Sequence, residues 1–254
     1  MSRLYKGIDI SLYQGDVDFA AVRGAGIDFV MFKASQGRTA DYDHPFADPK
    51  FRTNVERFAR TPGRIYGGAY HYLMARNAEE ARNEADFFIN TVKPYRRQLA
   101  LWSAVDVEDA TLNMNADALT QVVKIFCDRV RAAGLRPMVY SSSWWLKNRF
   151  TVPAGVPVWE ANWSVSAVPK GARMWQKGTG SVPGIAGEVD IDYAYDIMGD
   201  ADGDGKVSAR DVTAVMRHML HQKGTQIDEA QADFDRNGRI NARDVISLMR
   251  AIVG

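Results

Sequence analysis

Two acids stand two residues apart at the end of an apolar run. In Leu99–Glu108 a side-chain period of two puts Asp106 and Glu108 on one face, while Val105 and Val107 point the other way. Asp9 alternates with Ile8 and Ile10, and Asp190 and Asp192 alternate with Val189 and Ile191. Three strand-like runs therefore each present a carboxylate opposite their apolar residues. A single strand-end acid can equally cap a helix or pair with arginine. Clustered carboxylates behave differently: they repel one another when ionised, so one is held protonated near neutral pH and can serve as a general acid. Glycoside hydrolysis needs such a group to protonate the leaving oxygen, and a second carboxylate to activate water or stabilise positive charge.

Aromatic residues fit a sugar substrate. Tyr13, Tyr70, Tyr140, Trp144, Trp159, Trp163 and Trp175 lie at or just beyond strand ends. Flat rings stack on the apolar faces of pyranoses while their polar tips hydrogen-bond, although each ring can instead belong to the core. Tyr13, Tyr70, Tyr140, Trp159 and Trp175 are the expected substrate-binding set. Glu160 and Asn162 are secondary pocket candidates, and His71 reads as structural. No HExxH, GxSxG, P-loop or CxxC pattern is present, which removes support for zinc hydrolysis, serine hydrolysis and nucleotide chemistry.

A second chemistry is written at the end of the chain. Residues 200–211 read DADGDGKVSARD and residues 233–244 read DFDRNGRINARD, so Asp233 repeats Asp200 after 33 residues. Each copy offers oxygen ligands at loop positions 1, 3, 5, 7, 9 and 12 with glycine at position 6, the pattern of a calcium loop. The first copy offers Asp200, Asp202, Asp204, the carbonyl of Lys206, Ser208 and Asp211. The second offers Asp233, Asp235, Asn237, the carbonyl of Arg239, Asn241 and Asp244. Two Ca2+ ions are expected here, and no cofactor for catalysis. Position 12 is Asp in both copies, and each loop runs into a helix with an apolar stripe: Val212, Val215, Met216 and Met219, then Val245, Leu248, Met249 and Ile252.

The elements that must hold these groups follow from periodicity. Strand-like runs are Lys6–Ser11, Asp28–Ala34, Ile65–Tyr72, Leu99–Glu108, Arg136–Ser142, Pro157–Trp163, Arg173–Lys177 and Glu188–Tyr193. Helical patterns occupy Phe19–Gly24, Lys50–Ala59, Ala78–Val92 and Ala116–Ala133. Alternation of the two indicates a parallel α/β sheet. Eight strands favour closure, and the scarcity of helix after Ser142 makes the barrel irregular. The expected fold is α/β: an irregular TIM-like barrel over residues 1–198, followed by a small all-α calcium-binding domain over 199–254. Catalytic groups of such barrels sit at the C-terminal ends of strands.

The composition, 46% hydrophobic and 25% charged over 254 residues, accommodates one large and one small domain. A net charge of +1 points to no nucleic-acid partner, and no apolar run has the length of a membrane span. No apolar segment of a signal peptide is visible at the start. Cys127 is the single cysteine and falls in a helical apolar pattern, so it reads as a buried thiol.

The blocks GIDISLYQGDVDF, GIDFVMFKASQG, DPKF with Asn54, GGAYHY, WSAVDVE, MVYSSSWW, VWEANW, MWQ and VPGIAGEVDID occur in that order from Gly7 to Asp192. Together they resemble glycoside hydrolase family 25, lysozymes acting as N-acetylmuramidases. The resemblance implies a β/α barrel with irregular final strands. It implies cleavage of the β-1,4 bond between N-acetylmuramic acid and N-acetylglucosamine of peptidoglycan glycan strands. It casts Glu108 as proton donor and Asp106 as its companion, assisting water or orienting the 2-acetamido group. Asp9 and Asp190 complete the acidic pocket. Chitinases of family 18 carry DxxDxDxE on a similar strand; here the first two acids are replaced by Leu101 and Ala104. A barrel that binds peptidoglycan without cutting it, and a glycosidase of other bond specificity, are the remaining alternatives.

The repeat from Gly199 to Val253 resembles a type I dockerin, which implies a cohesin module of a scaffoldin or surface protein as partner. The contact positions implied are Ala209, Arg210, Ala242 and Arg243, identical pairs in the two copies. The alternative is a purely structural calcium clip. A lysozyme with a dockerin acts outside the cytoplasm, so the expected location is extracellular or cell-surface.

Overall fold

The structure, a computed structural model, describes residues 4–39, 43–62, 65–195, 197–203, 207–234 and 237–253. Eight strands close into a barrel: β1 (Leu4–Ile10), β2 (Phe29–Gln36), β4 (Tyr66–Tyr72), β5 (Trp102–Asp106), β6 (Arg136–Ser142), β7 (Val158–Ala161), β8 (Met174–Ser181) and β9 (Glu188–Tyr195). A two-residue β3 (Phe46–Ala47) pairs with the outer edge of β2. All eight strands expected from the sequence are present; β3 is the addition. Helices α1 (Phe19–Gly24), α2 (Phe51–Arg60), α3 (Ala78–Val92) and α4 (Ala116–Ala132) fill the early connections. Only the six-residue α5 (Ser143–Asn148) is helical between β6 and β9.

Strands β1, β2 and β4–β8 run parallel where they pair with one another, but β9 is antiparallel to both β1 and β8. This corrects the expectation of a parallel sheet. Only residues 182–187 separate β8 from β9, too few for the crossover a parallel strand needs, so a hairpin-like return is what remains. The reversal has two results. The first residues of β9, not the last, lie at the end of the barrel where β1 and β5 finish. Its last residue, Tyr195, lies at the opposite end, the barrel floor.

Period-two alternation divides the apolar residues into two cores. Ile8, Ile10, Val105, Val107, Val189 and Ile191 face the helices, packing with Val55, Phe88 and Phe126. Phe29, Met31, Ala104, Met138, Trp159 and Met174 fill the barrel. His71 is fully buried in the helix-facing layer, hydrogen-bonded to Ser35 Oγ and Glu84 Oε2 at 2.8 Å each, which is the structural use expected of it. Cys127 is buried, and burial pushes its thiol up to about 12.

The barrel core continues without a break into the C-terminal helices α6 (Ala209–Met219), α7 (Glu229–Ala232) and α8 (Ala242–Val253). Helix α6 packs on α8 through Val215, Val245 and Leu248. Met216 and Met249, counted in the apolar stripes, are instead about half exposed, because the stripe each helix buries is narrower than the pattern suggested. Gly199 takes φ +104, and a Cβ there would meet Leu248 at 2.5 Å, so only glycine lets the chain enter this domain so tightly. No helix among the described residues is long and apolar enough to cross a membrane.

Candidate active site and calcium loops

At the end where β1, β4, β5 and β6 finish, the barrel gathers the expected acids. Register pairs Asp9 of β1 with Asp190 of β9, and Asp192 lies two residues deeper, opposite Gly7. Asp106 ends β5, and Glu108 follows it after Val107, whose amide still bonds to the Tyr140 carbonyl at 2.9 Å. Asp9 and Asp106 are buried, Asp192 is fully buried, and Glu108 and Asp190 are half-buried at the opening.

Burial raises all five carboxyls, and mutual repulsion adds to it. Asp9 is pushed up to about 7 by burial and the Asp190 charge, against the pull of the Gln176 amide. Burial, then the neighbouring Glu108 charge, holds Asp106 well above the usual carboxylate range. Glu108 is raised by burial and then by Asp190, while Tyr140 and Lys33 oppose the shift. Asp190 is raised by burial, and Asp192 by burial and Asp9. Asp106 Oδ1 is buried and finds no hydrogen-bond partner among the described residues, a position suited to a carboxyl that holds a proton or awaits substrate.

The aromatic set divides. Tyr13 is 81% exposed at the rim, on a turn held by Ser11 and by Asp48, whose Oδ2 accepts from Leu12 N at 2.9 Å. Tyr70 and Tyr140 are buried beside the carboxylates, whose charges contribute to raising both phenols. Trp159 lies beneath the cleft rather than along it. It is 1% exposed, donates from Nε1 to Asp192 Oδ1 at 2.8 Å, and packs edge-on against Tyr140. Trp175 faces away: alternation turns Gln176 inward, and Trp175 packs outside against Tyr193 and donates to the Asn162 carbonyl at 2.7 Å. Neither indole offers an open face to a sugar. Trp144 and Trp163, 60% and 61% exposed, do. Glu160 accepts from Ser143 and Asn162 and serves the β7 turn.

Two residues of the site escaped the sequence reading. Gln176 bridges Asp9 and Tyr140. Lys33, on the inner face of β2, donates to Gln36 Oε1 at 2.8 Å and lies 4.9 Å over the Tyr72 ring, with Asp106, Asp48 and Glu108 sustaining its charge against burial. A lone lysine in the run FVMFKA was the available signal.

In the C-terminal domain, Asp204, Lys206 and Asp235 lie outside the described residues. The others are consistent with cation loops. Asp200, Asp202 and Asp211 bring carboxylate oxygens within 4.8 Å of one another. Asp233 accepts from Asn237 N and Gly238 N at 3.0 and 2.8 Å, which curls the second loop around it. Asn241 and Arg239 are joined through the Arg239 carbonyl at 3.2 Å. The acid at position 12 also caps the helix that follows. Asp211 Oδ2 accepts from Ser208 N at 2.7 Å while Ser208 Oγ accepts from Arg210 N at 3.1 Å, so the acid completes a capping box on α6. Asp244 does the same for Asn241 at 2.9 Å. Ala209, Arg210, Ala242 and Arg243 are all exposed.

Comparison with known proteins places this geometry. Residues 8–185 match the family described as Glycosyl hydrolases family 25, and residues 198–253 match the Dockerin type I domain. The chain is 32% identical over 191 residues to the autolytic lysozyme of Clostridium acetobutylicum, covering 74% of this chain and 55% of that protein. It is 30% identical over 204 residues to lysozyme M1 of Streptomyces globisporus, covering 73% and 66%. The chain thus spans little more than half the length of the first and about two thirds of the second. Among solved structures, the modular autolysin LytC from Streptococcus pneumoniae, in complex with a synthetic peptidoglycan ligand, superposes with a TM-score of 0.65 at 24% identity, over 76% of this chain and 47% of that one.

Proposed function

Because the chain belongs to glycosyl hydrolases family 25 and ends in a type I dockerin domain, we propose that it is a peptidoglycan hydrolase cleaving the β-1,4 bond between N-acetylmuramic acid and N-acetylglucosamine, carried to its place of action by a cohesin. The observation that carries the reading is the convergence of Asp9, Asp106, Glu108 and Asp190 at one end of the barrel, every one raised by burial. Glu108 is the proton donor: its carboxyl is half-open to the cleft, and burial raises it, which favours the protonated form that a donor needs. Asp106 assists water or orients the 2-acetamido group. Asp190, joined by Asp9 in its ionised form, supplies the negative field that stabilises an oxocarbenium-like transition state. Tyr13, Tyr70 and Tyr140 are the substrate-contacting phenols of the earlier set.

Residues 199–254 form the partner-binding unit. The carboxylates of each loop, with the carbonyls of Lys206 and Arg239, would hold one Ca2+. Bound calcium neutralises their repulsion and orders the helix that follows. Ala209–Arg210 and Ala242–Arg243 face the cohesin. Tyr195 leaves β9 at the barrel floor, so a partner seated on these helices leaves the cleft open. The location consistent with this pair of activities is extracellular or cell-surface.

Mass spectrometry of the products from purified peptidoglycan tests the assignment. Reducing ends on muramic acid are expected. Reducing ends on glucosamine would indicate the other bond, and intact glycan would indicate a binding barrel.

A further inference from the structure

The chain has no linker between its two units. Four residues separate the end of β9 from Asp200, and of these Ile197 and Met198 are buried, as is Ala201 just beyond. They join Tyr66, Leu101 and Trp102 of the barrel floor in one apolar cluster with Ala232, Phe234 and Leu248. Polar contacts cross the same boundary. Tyr66 donates from its hydroxyl to the Phe234 carbonyl at 3.1 Å, and the Gln231 amide donates to the Ala100 carbonyl. The third contact reaches a ligand position of a calcium loop. Arg136, the first residue of β6, places Nη2 3.2 Å from Asp200 Oδ2 and lies 5.4 Å over the Trp102 ring.

Asp200 holds position 1 of the first loop and is 4% exposed, its carboxylate grouped with those of Asp202 and Asp211. In the second loop the equivalent Asp233 turns its two oxygens onto its own loop amides. A cavity of about 1000 Å³ opens beside this contact, bordered by Trp102, Arg136, Arg173, Tyr195, Asp200 and Gly203.

Resting on the calcium reading of the dockerin, we infer that the first calcium loop is a joint built by both units, in which Arg136 of the barrel is the positioning residue for Asp200, so that calcium at this loop stabilises the enzyme barrel itself. A ligating carboxylate has two oxygens. With Arg136 holding Oδ2, the plane of the carboxylate is set beside Asp202 and Asp211, as outer partners orient ligands elsewhere. Metal bound at the joint then binds the docked state and not the separated one, which shifts unfolding of both units together. The second loop also meets the barrel, through the Phe234 carbonyl on Tyr66, but that contact is to a backbone oxygen outside the ligand set, so calcium there stabilises the barrel less.

All six tryptophans lie before residue 199; with Trp102, which borders the C-terminal unit, removed by Trp102→Phe, fluorescence of the other five reports melting of the barrel alone. In the full chain, calcium at about a hundredfold over its Kd should raise that melting temperature by about 5–10 °C. Asp200→Asn should remove most of the rise, and Asp233→Asn should retain most of it. Arg136→Met should reduce the rise, and Arg136→Lys, which keeps the charge, should restore part of it. Calorimetric calcium uptake with no change in the tryptophan transition overturns the joint and leaves the calcium reading standing. Equal loss in Asp200→Asn and Asp233→Asn overturns it as well. No calcium uptake overturns the calcium reading, and the joint with it.

Discussion

Gln176 ties Asp9 to Tyr140: its Nε2 donates to Asp9 Oδ2 at 2.9 Å and its Oε1 accepts from the Tyr140 hydroxyl at 3.1 Å. One amide on β8 thus fixes an acid on β1 and a phenol on β6. The amide donates only to Asp9 in this pair, so it favours the carboxylate form against burial, and Asp9 settles at about 7 rather than higher. Tyr140 in turn pulls Glu108 down. Hydrogen bonds thus oppose burial at Asp9 and at Glu108, and separating the acids in this way is what acid–base chemistry at neutral pH requires.

Glu108→Gln should lower kcat on peptidoglycan by about 10²–10⁴, the usual loss for a general acid, with the fold intact by circular dichroism. The amide keeps the size of the side chain and removes the proton it donates. Turnover above half of wild type would remove Glu108 from the role.

The charge that raises Glu108 most is Asp190, not Asp106. This reverses the simplest inference from sequence, in which the neighbour two residues away does the work. Burial, then the Glu108 charge, raises Asp106 well above the carboxylate range, and a carboxyl so raised exerts less repulsion on its neighbour. Asp190→Asn should therefore move the alkaline limb of the pH–rate profile to lower pH, because Glu108 then ionises more easily. Asp106→Asn should cut turnover while leaving that limb nearly in place. Asp192→Asn, which keeps an oxygen for the Trp159 indole at the barrel interior, should be milder than Asp190→Asn. A limb that moves with Asp106→Asn and not with Asp190→Asn would show the coupling to be wrongly assigned.

The site's position was legible in the sequence, and its internal hierarchy was not. Alternation alone put Asp9, Asp106, Glu108 and Asp190 opposite their valines and isoleucines, and the structure keeps that division. Period two does not say how deep a side chain sits, so Trp159 and Trp175 read as sugar platforms although one is beneath the cleft and the other outside it. Strand direction was equally hidden, because an antiparallel β9 has the same local pattern as a parallel one. That reversal decides where the C-terminal domain begins, and with it the contact of Arg136 with Asp200 across 64 residues.

Asp9→Asn should stabilise the protein at neutral pH. The folded value of Asp9, about 7, stands above its ordinary 3.8, so the folded state holds a proton that the unfolded chain has lost. The sign follows: this stability is fully present below pH 3.8 and is lost as pH rises through 7. Asparagine does not titrate, and its oxygen still accepts from Gln176. Melting curves should coincide most closely near pH 4 and separate by pH 8 in favour of the variant, by about 2–4 °C per kcal/mol gained. A gap that closes as pH rises would contradict the raised carboxyl.

Binding to a cohesin should tolerate the loss of one arginine and not of both. Arg210 and Arg243 are exposed at matching positions of the two repeats, each one residue past an exposed alanine at the start of its helix. Thr213, Met216 and Arg217 along α6 match Ile246, Met249 and Arg250 along α8, so each helix offers a cationic stripe around a half-exposed methionine. Two near-equivalent faces allow two orientations of one partner. Removing Arg210 alone disables one orientation and should weaken binding only about twofold, since the two contribute equally to the affinity. Removing Arg210 and Arg243 together leaves no intact face and should cost about tenfold or more, as expected for exposed arginines at the centre of an interface. Titration of the calcium-loaded full chain against a panel of cohesins distinguishes the outcomes. A single substitution as damaging as the double would mean that only one face is used, and calcium uptake with no cohesin bound would leave the repeat as a structural clip.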